Sequence, residues 1–132
     1  MMKILQPPDW LRPKGYANGI VAEGRLLFVA GQIGWDAQQQ IVSDDLADQT
    51  EQALRNVATV LAEAGARSEH VARLTWYVTD RQAYLAAQRK IGRAYRAVFG
   101  DHYPVMTLVE VAALLEPGAL VEIEATAVLP ND

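Results

Sequence analysis

The sequence contains no cysteine, which excludes disulfide bonds, thiol catalysis and zinc fingers. Histidine is scarce as well, because the only two, His70 and His102, lie far apart with no acidic ligand spacing around them. The GxGxxG, Walker, HExxH and Ser-His-Asp patterns are also missing. These absences predict that the protein needs neither a metal nor an organic cofactor.

Long apolar runs and an excess of basic charge are absent too. No segment approaches the ~18 apolar residues of a membrane span, and residues 1–8 lack the apolar region of a signal peptide, so a cytoplasmic location without membrane contact is the default expectation. The 12 basic and 16 acidic residues give a formal net charge of -4, which argues against a nucleic-acid partner. The densest basic cluster is expected to be the solvated face of a helix and consists of Arg89, Lys90, Arg93 and Arg96.

Apolar residues make up 51% of the 132 positions, which is enough to fill one core. No linker, repeat or low-complexity stretch divides the chain, so residues 1–132 are expected to form a single domain. Two short strands are predicted at residues 19–22 and 26–32, joined by a hairpin turn in which Gly24 can take a positive φ. Because residues 26–30 are apolar on both faces, the second strand is expected to be central in its sheet.

After residue 43 the apolar residues recur at three- and four-residue steps, which predicts a helix. Ser43 or Asp44 is expected to cap its first turn, and Gly65 suits the position just beyond its end. The apolar positions that define this helix are Leu46, Ala53, Leu54, Val57, Val60, Leu61 and Ala64.

Residues 71–78 alternate between apolar and polar side chains and are predicted to form a strand. A second helix is expected from about Arg81 to Gly100, with Thr79 and Gln82 at the spacing of a capping box. Its expected buried stripe consists of Tyr84, Leu85, Gln88, Ile91, Tyr95, Val98 and Phe99.

Two further strands are predicted near the end of the chain, at residues 105–114 and 119–129, with a turn at residues 116–118. The element order β-β-α-β-α-β-β places two helices on one face of a sheet, which predicts a two-layer α+β sandwich. Both faces of the last two strands carry substantial apolar area, so a monomer would expose one of them. Since large exposed apolar patches usually mark interfaces, an oligomer is expected.

Short motifs occur over nearly the whole chain in a fixed order. They are Gly15-Tyr16, FVAGQI at residues 28–33, QALRNV at 52–57, LAEAG at 61–65, YVTD at 77–80, Tyr95 followed by Phe99, VEV at 109–111 and VEIEA at 121–125. Each piece alone is a weak signal. With this order and spacing, the chain resembles the Rid/YjgF family of reactive-intermediate deaminases.

The resemblance implies a chorismate-mutase-like fold and a homotrimer whose sheets form a central barrel, with small-molecule clefts at the subunit boundaries. Typical members hydrolyse imines and enamines such as 2-iminobutanoate and 2-iminopropanoate to a keto acid and ammonia, without a cofactor. That chemistry needs little from the protein, because an imine carbon is already electrophilic. A site has only to hold the carboxylate, place one water and move a proton.

The resemblance also implies which residues form the site. Glu122 matches the glutamate that positions the water and is the expected catalytic residue. The expected substrate-binding positions are Tyr16, Ala30, Gly31, Met106 and Thr107. Simpler roles stay open: Tyr16 as an aromatic plug, Gly31 as a bulge glycine and Glu122 as an ion-pair partner across an interface.

Met106 departs from the family pattern, because the deaminating members have an arginine there that clamps the substrate carboxylate. A guanidinium offers two parallel charge-assisted hydrogen bonds, and a thioether offers none. Leu108 likewise stands in place of a cysteine. Met106 either fills a gap between subunits or marks altered carboxylate recognition. In the second case the cation could come from Arg73, Arg93 or Arg96.

His102, in the loop at residues 100–104, is either a proton shuttle or an exposed loop residue. Three functions remain. The first is an imine or enamine hydrolase with altered carboxylate recognition, and the second is a non-catalytic trimer that binds a small ligand. The third, a ribonuclease or translation inhibitor, is the weakest because the sequence has no basic surface.

Overall fold

Most of the chain is helix or strand in the computed structural model, which describes residues 2–131. In chain order the elements are β1 (Met2–Leu5), β2 (Gly19–Ala22), β3 (Arg25–Ile33), α1 (Leu46–Glu63), a 3-10 turn (Ser68–His70), β4 (Val71–Val78), α2 (Arg81–Ala86), α3 (Gln88–Phe99), β5 (Val105–Glu110) and β6 (Val121–Leu129).

The main sheet has four strands in the order β3-β6-β4-β5. β4 and β5 run parallel, whereas β6 is antiparallel to both of its neighbours. A parallel pair needs a crossover connection, which α2 and α3 supply between β4 and β5. Helices α1 and α3 pack against each other, and the core lies between them and the sheet. The predicted two-layer α+β sandwich is therefore confirmed.

β2 and β3 do not form the predicted hairpin. β2 pairs instead with β1, a strand that was not predicted, and β3 pairs with β6. Gly24 does take a positive φ, at 147°, and a side chain there would overlap the carbonyl oxygen of Leu129. The chain thus leaves the two-stranded sheet and enters the main sheet at Gly24.

The prediction of a central strand at residues 26–30 is also wrong, because β3 lies at the edge of the main sheet. Val29 is buried on the helix side, whereas Leu26 and Phe28 are 63% and 72% exposed on the other side. Apolar residues on both faces of β3 therefore reflect two different surfaces. One is the core, and the other is a sheet face on which no helix of the described residues packs.

Helix starts and strand ends differ slightly from the predictions. Asp45, rather than Ser43 or Asp44, caps α1, and Asp80 caps α2 in place of the predicted capping box. The second predicted helix is interrupted at Ala87, where α2 gives way to α3. β5 ends four residues earlier than predicted and β6 begins two residues later, because residues 111–120 form an irregular connection.

Two polar residues of α1, Gln49 and Thr50, are buried in the apolar layer, and Gln49 binds segments outside the helix. Gln49 is fully buried, and its Nε2 donates to the carbonyl oxygens of Ser43 at 2.8 Å and Gly118 at 2.9 Å. Its Oε1 accepts from the backbone N–H of Leu120 at 2.8 Å. Gln49 thereby joins α1 to the loops on both sides of the core. Its fully buried apolar neighbours include Leu54, Val57, Leu61, Leu74, Val121 and Ile123.

The other face of the main sheet carries no helix from the described part of the chain. Its middle is polar and its edges are partly apolar, with Leu26 and Phe28 on β3 and Val109 on β5 all substantially exposed. We call this surface the open face. Within residues 2–131, none of the helices combines the length and the apolar content that a bilayer crossing requires.

Candidate functional site

A cleft of about 530 Å³ opens beside β5 on the helix-covered side of the main sheet. Met106 and Leu108 point to this side, because side chains alternate along a strand and Val105 and Thr107 take the other face. α2 and α3 form the opposite wall. We call this cavity the helix-side cleft; its aromatic and aliphatic walls include Tyr16, Trp76, Tyr84, Ile91, Tyr95 and Tyr103.

Tyr95 organises the aromatic wall of this cleft. Its ring stacks on Tyr103 with the centroids 5.1 Å apart and lies 6.4 Å from the ring of Trp76. Its hydroxyl donates to the carbonyl oxygen of His102 at 2.5 Å. Burial, followed by the charge of the Tyr103 phenol when ionised, raises the pKa of Tyr95, and burial also raises the pKa of Tyr84. Both phenols are therefore neutral at neutral pH, and they add no charge to the cleft.

Two cations, Lys14 and Arg96, line the helix-side cleft, and none of the described lining residues is acidic. Gly92 lies one helical turn before Arg96, and a Cβ at Gly92 would be 3.3 Å from Arg96 Nη1. The guanidinium thus lies over Gly92, in space that a side chain would otherwise take. Arg96 forms no ion pair with any residue between positions 2 and 131.

Glu122 and Gly31 form a second group, at the β3 end of the sheet. The pairing of β3 with β6 shifts between Val29 and Gln32, which is the signature of a bulge. A Cβ at Gly31 would overlap Glu122 Oε2, so the carboxylate lies directly over this glycine. Gly31 therefore lies at a bulge, the simpler of its two expected roles, and its contact with a substrate stays a prediction. Ala30, in the same bulge, is exposed, and its carbonyl accepts from Gln32 Nε2 at 3.0 Å.

Tyr77 lies directly opposite Glu122 in the sheet register and also faces the open side. Its hydroxyl donates to Glu124 Oε1 at 2.7 Å. This hydrogen bond raises the pKa of Tyr77, and burial and the negative charges of Glu124 and Glu122 raise it further. The phenol is therefore protonated at neutral pH, so the open face presents two carboxylates beside a neutral hydroxyl donor.

The two groups are far apart within one chain. Gly31 lies on the edge strand β3 and Met106 on the opposite edge strand β5, three strand spacings away. At ~4.8 Å per spacing the separation is ~14 Å. Glu122 also points to the open face, whereas Met106 points to the helix side. A single ligand therefore cannot contact Glu122 and Met106 of the same chain.

The remaining predicted binding residues are divided between surfaces. Thr107 points to the open face and lines a groove of about 540 Å³ together with Arg73 and residues 16–20. Tyr16 is 43% exposed and borders both this groove and the helix-side cleft. The structure thus brings Tyr16 and Met106 together and places Thr107 next to Tyr16 on the other side of β5.

Arg93 and His102 lie outside both the helix-side cleft and the Glu122–Gly31 group. Arg93 lines a groove between α1 and α3 that also contains acidic residues of the α1 N-terminus, among them Asp45 and Asp48. His102 is half-buried, and its Nε2 lies 2.7 Å from the carbonyl oxygen of Val71. This contact ties the loop before β5 to the start of β4.

Sequence reasoning did not assign the aromatic wall or Gly92 to a site. Of the predicted buried stripe, Ile91 and Tyr95 are buried as expected, Tyr84 is half-buried and Gln88 is exposed. All four also border the cleft. The available signal was Gly92, because a glycine within a helix lowers its stability and usually has a packing or functional reason. Here it makes room for the guanidinium of Arg96.

Comparison with known proteins adds to this picture. Residues 11–129 match the family model described as Endoribonuclease L-PSP. A RutC family protein from Pyrococcus horikoshii is 35% identical over 96% of this chain and 98% of its own. The human protein named 2-iminobutanoate/2-iminopropanoate deaminase is 30% identical over 86% of this chain and 79% of its own. The crystal structure of a Rid family protein of unknown function from Yersinia pestis superposes with a TM-score of 0.85, at 34% identity, over 97% of this chain and 98% of its own.

Proposed function

The chain belongs to the Endoribonuclease L-PSP family, which includes the Rid/YjgF proteins, and from this premise we propose that it is a deaminase that hydrolyses imines of 2-keto acids without a cofactor. In this reaction water adds to the imine carbon. The resulting carbinolamine then loses ammonia as its carbon–nitrogen bond breaks, leaving the keto acid. The protein has to hold the substrate, orient one water and accept and return a proton.

The observation that carries the proposal is the position of Glu122 over Gly31. Its carboxylate reaches the open face, where it can accept a hydrogen bond from a water beside the backbone of the β3 bulge. A side chain at position 31 would displace the carboxylate of Glu122 from this position. A carboxylate held within hydrogen-bond reach of a water is the arrangement that general-base catalysis needs.

The complete site, in this proposal, forms between two subunits of a homotrimer. Glu122 and Gly31 of one subunit face the helix-side cleft of its neighbour, with Tyr16 at the boundary. The wide separation of the two groups within one chain supports this, since neither group alone could both hold a carboxylate and place a water. The uncovered apolar residues of the open face support the association.

A non-catalytic ligand-binding trimer is the second candidate, and Met106 favours it. This thioether lines the cleft at the position where a guanidinium would clamp a small carboxylate. The nuclease role that the family description suggests fits less well, because the net charge is -4 and nucleic-acid binding relies on basic residues that neutralise phosphates.

Turnover of freshly generated imines tests the proposal. An amino acid oxidase supplies 2-imino acids from alanine and from phenylalanine, and the loss of imine is followed with and without the protein. Glu122→Gln should reduce the acceleration at least a hundredfold, since general-base catalysis typically contributes about 10²–10⁴ in rate.

Glu124→Gln is the matched control. It removes a negative charge from the same face of β6 and should retain most of the activity. No acceleration by the wild-type protein with either imine, or equal losses in the two variants, would contradict the proposed role of Glu122. Intact folding with ligand binding but no turnover would favour the binding trimer.

A further inference from the structure

The helix-side cleft contains a guanidinium even though Met106 supplies none. Arg96 projects from α3, and its Nη1 lies 3.3 Å from where a Cβ at Gly92 would be. It has no ion pair within residues 2–131, and none of the described cleft residues is acidic. A guanidinium in these surroundings is available to bind a ligand carboxylate through two parallel charge-assisted hydrogen bonds.

The other cations are less well placed for this task. Arg73 lines the groove on the open face, and Arg93 lies in the groove that contains acidic residues of α1. Lys14 does line the cleft, but it lies in the loop before β2 and its ammonium cannot form the planar double contact. Arg96 is thus the cation that is both held on a helix and directed into the helix-side cleft.

The rest of the cleft is suited to a large apolar group. Its volume of about 530 Å³ lies within the ~300–1,000 Å³ typical of sites for drug-sized ligands, well above the need of a small imino acid. Met106 and Leu108 form one wall, and Ile91 and the stacked rings of Tyr95 and Tyr103 form another. Flat aromatic walls favour an aromatic substituent, because rings gain contact energy from stacking in addition to burial.

We propose that the helix-side cleft binds carboxylates that carry a large apolar or aromatic substituent. Arg96 binds the carboxylate, and the walls formed by Met106, Leu108, Tyr95 and Tyr103 bind the substituent. Combined with the proposed function, on which this step rests, the substrate class becomes 2-imino acids with aromatic side chains. The ligand preference itself is a property of the cleft and can be measured without turnover.

Isothermal titration calorimetry with two unreactive keto acids tests the proposal. Phenylpyruvate and pyruvate share the carboxylate and carbonyl and differ in the phenyl group. Phenylpyruvate should bind the wild-type protein at least tenfold more tightly, as expected for burying a ring in an apolar cleft. Phenylacetone, which has the ring but no carboxylate, should bind at least tenfold more weakly than phenylpyruvate.

Variants identify the cation. Arg96→Gln should weaken phenylpyruvate binding about tenfold and leave phenylacetone binding unchanged, because only the carboxylate contact is lost. Arg89→Gln removes a guanidinium from the same helix outside the cleft and should bind phenylpyruvate like the wild type. Lys14→Gln should have a smaller effect than Arg96→Gln. Melting temperatures of all variants confirm that the fold is intact.

Equal affinity for pyruvate and phenylpyruvate would overturn the proposal, as would a larger loss in Lys14→Gln or Arg89→Gln than in Arg96→Gln. The outcome is independent of catalysis. If the predicted binding pattern holds in a protein that does not hydrolyse imines, the ligand class stands and the deaminase function fails. If imines are hydrolysed but the binding pattern is absent, the deaminase function stands and this proposal fails.

Discussion

Met106 and Glu122 belong to the same sheet, yet their side chains leave it on opposite faces. Met106 points into the helix-side cleft, and its thioether can donate no hydrogen bond to the carboxylate of a ligand bound beside it. Glu122 points to the open face, where Gly31 makes room for its carboxylate. At the scale of single residues, we therefore propose that position 106 affects which carboxylates bind and that position 122 is the site of the proton transfers.

Met106→Arg should raise activity on small 2-imino acids. The wild-type protein is expected to be a poor catalyst for 2-iminobutanoate, because Met106 offers its carboxylate no bidentate contact and its small side chain gains little from the apolar walls that accompany the proposed Arg96 contact. The missing charge-assisted bonds are worth ~1.5–3 kcal/mol, on the order of tenfold to a hundredfold in rate. The gain in kcat/KM is measured with 2-iminobutanoate, and the gain should be partial because Leu108 and Thr107 do not surround a guanidinium.

Met106→Leu serves as the control, since it keeps the cleft apolar and should leave the activity on 2-iminobutanoate low. If the wild-type protein already matches the turnover of an arginine-containing family member on this substrate, another cation clamps small carboxylates and the role assigned to Met106 is wrong.

At the scale of elements, polar side chains on α1 attach the helix to neighbouring loops. Gln49 binds backbone groups of residues 43, 118 and 120. Two turns further along the helix, Asn56 donates to the carbonyl oxygens of Ile33 and Trp35 at 3.0 and 2.9 Å. These amides bind backbone groups at the end of β3 and just before the start of β6, and they hold both strand ends relative to α1.

Gln49→Leu should destabilise the fold strongly although it adds apolar volume to the core. The substitution removes three hydrogen bonds that the fully buried Gln49 makes to backbone groups of residues 43, 118 and 120, and a group left without a partner away from water costs about 1–3 kcal/mol. We expect a loss of roughly 3 kcal/mol or more in the free energy of unfolding, measured by urea denaturation.

Gln52→Leu on the same helix is the comparison for this prediction. Among the described residues, the side chain of Gln52 hydrogen-bonds only to Asn56 Oδ1, at 2.9 Å. Gln52 is also less buried than Gln49, so its loss should cost far less. Similar losses in the two variants would show that the buried backbone groups around Gln49 find other partners.

At the scale of the whole molecule, no helix within residues 2–131 packs on the open face. Leu26 and Phe28 lie on its β3 edge and Val109 on its β5 edge, all well exposed. A surface of this kind in a protein that stays soluble usually belongs to an interface. The proposed homotrimer would bury it and would also bring Glu122 of one subunit to the helix-side cleft of the next.

Light scattering should therefore give about three times the 14.5 kDa chain mass. Phe28→Lys should shift the protein towards the monomer, because a charge would replace a large apolar side chain at the interface. Val60→Lys changes an exposed apolar residue on α1 instead and should leave the mass unchanged. A wild-type monomer at micromolar concentration would exclude the trimer and, with it, the shared site.

Local patterns were enough to predict much of the fold. Apolar residues at three- and four-residue steps predicted α1, and alternating apolar and polar side chains predicted β4. The order of these elements then predicted the two-layer arrangement. Each prediction depends on residues close in sequence. The predictions that failed concern which strands pair with each other. The turn at Gly24 looked like a hairpin, but strand pairing is decided by distant residues, and β3 found its partner in β6. Apolar side chains on both faces of β3 fit a central strand. They fit equally well an edge strand whose two faces contact the core and another subunit.

The sequence by itself determined the two-layer class, the family, the absence of cysteine chemistry and the substitution at position 106, since these depend on residue identity and short-range spacing. Only the tertiary structure decided how the candidate residues divide between surfaces. It placed Met106 and Thr107 on opposite sides of β5, directed Arg96 into the helix-side cleft and set Glu122 over Gly31 at the far end of the sheet. The physical reason is that strand pairing decides which side of the sheet a side chain faces and which strand lies beside it. This pairing joins segments far apart in sequence, so the local order of residues does not reveal it.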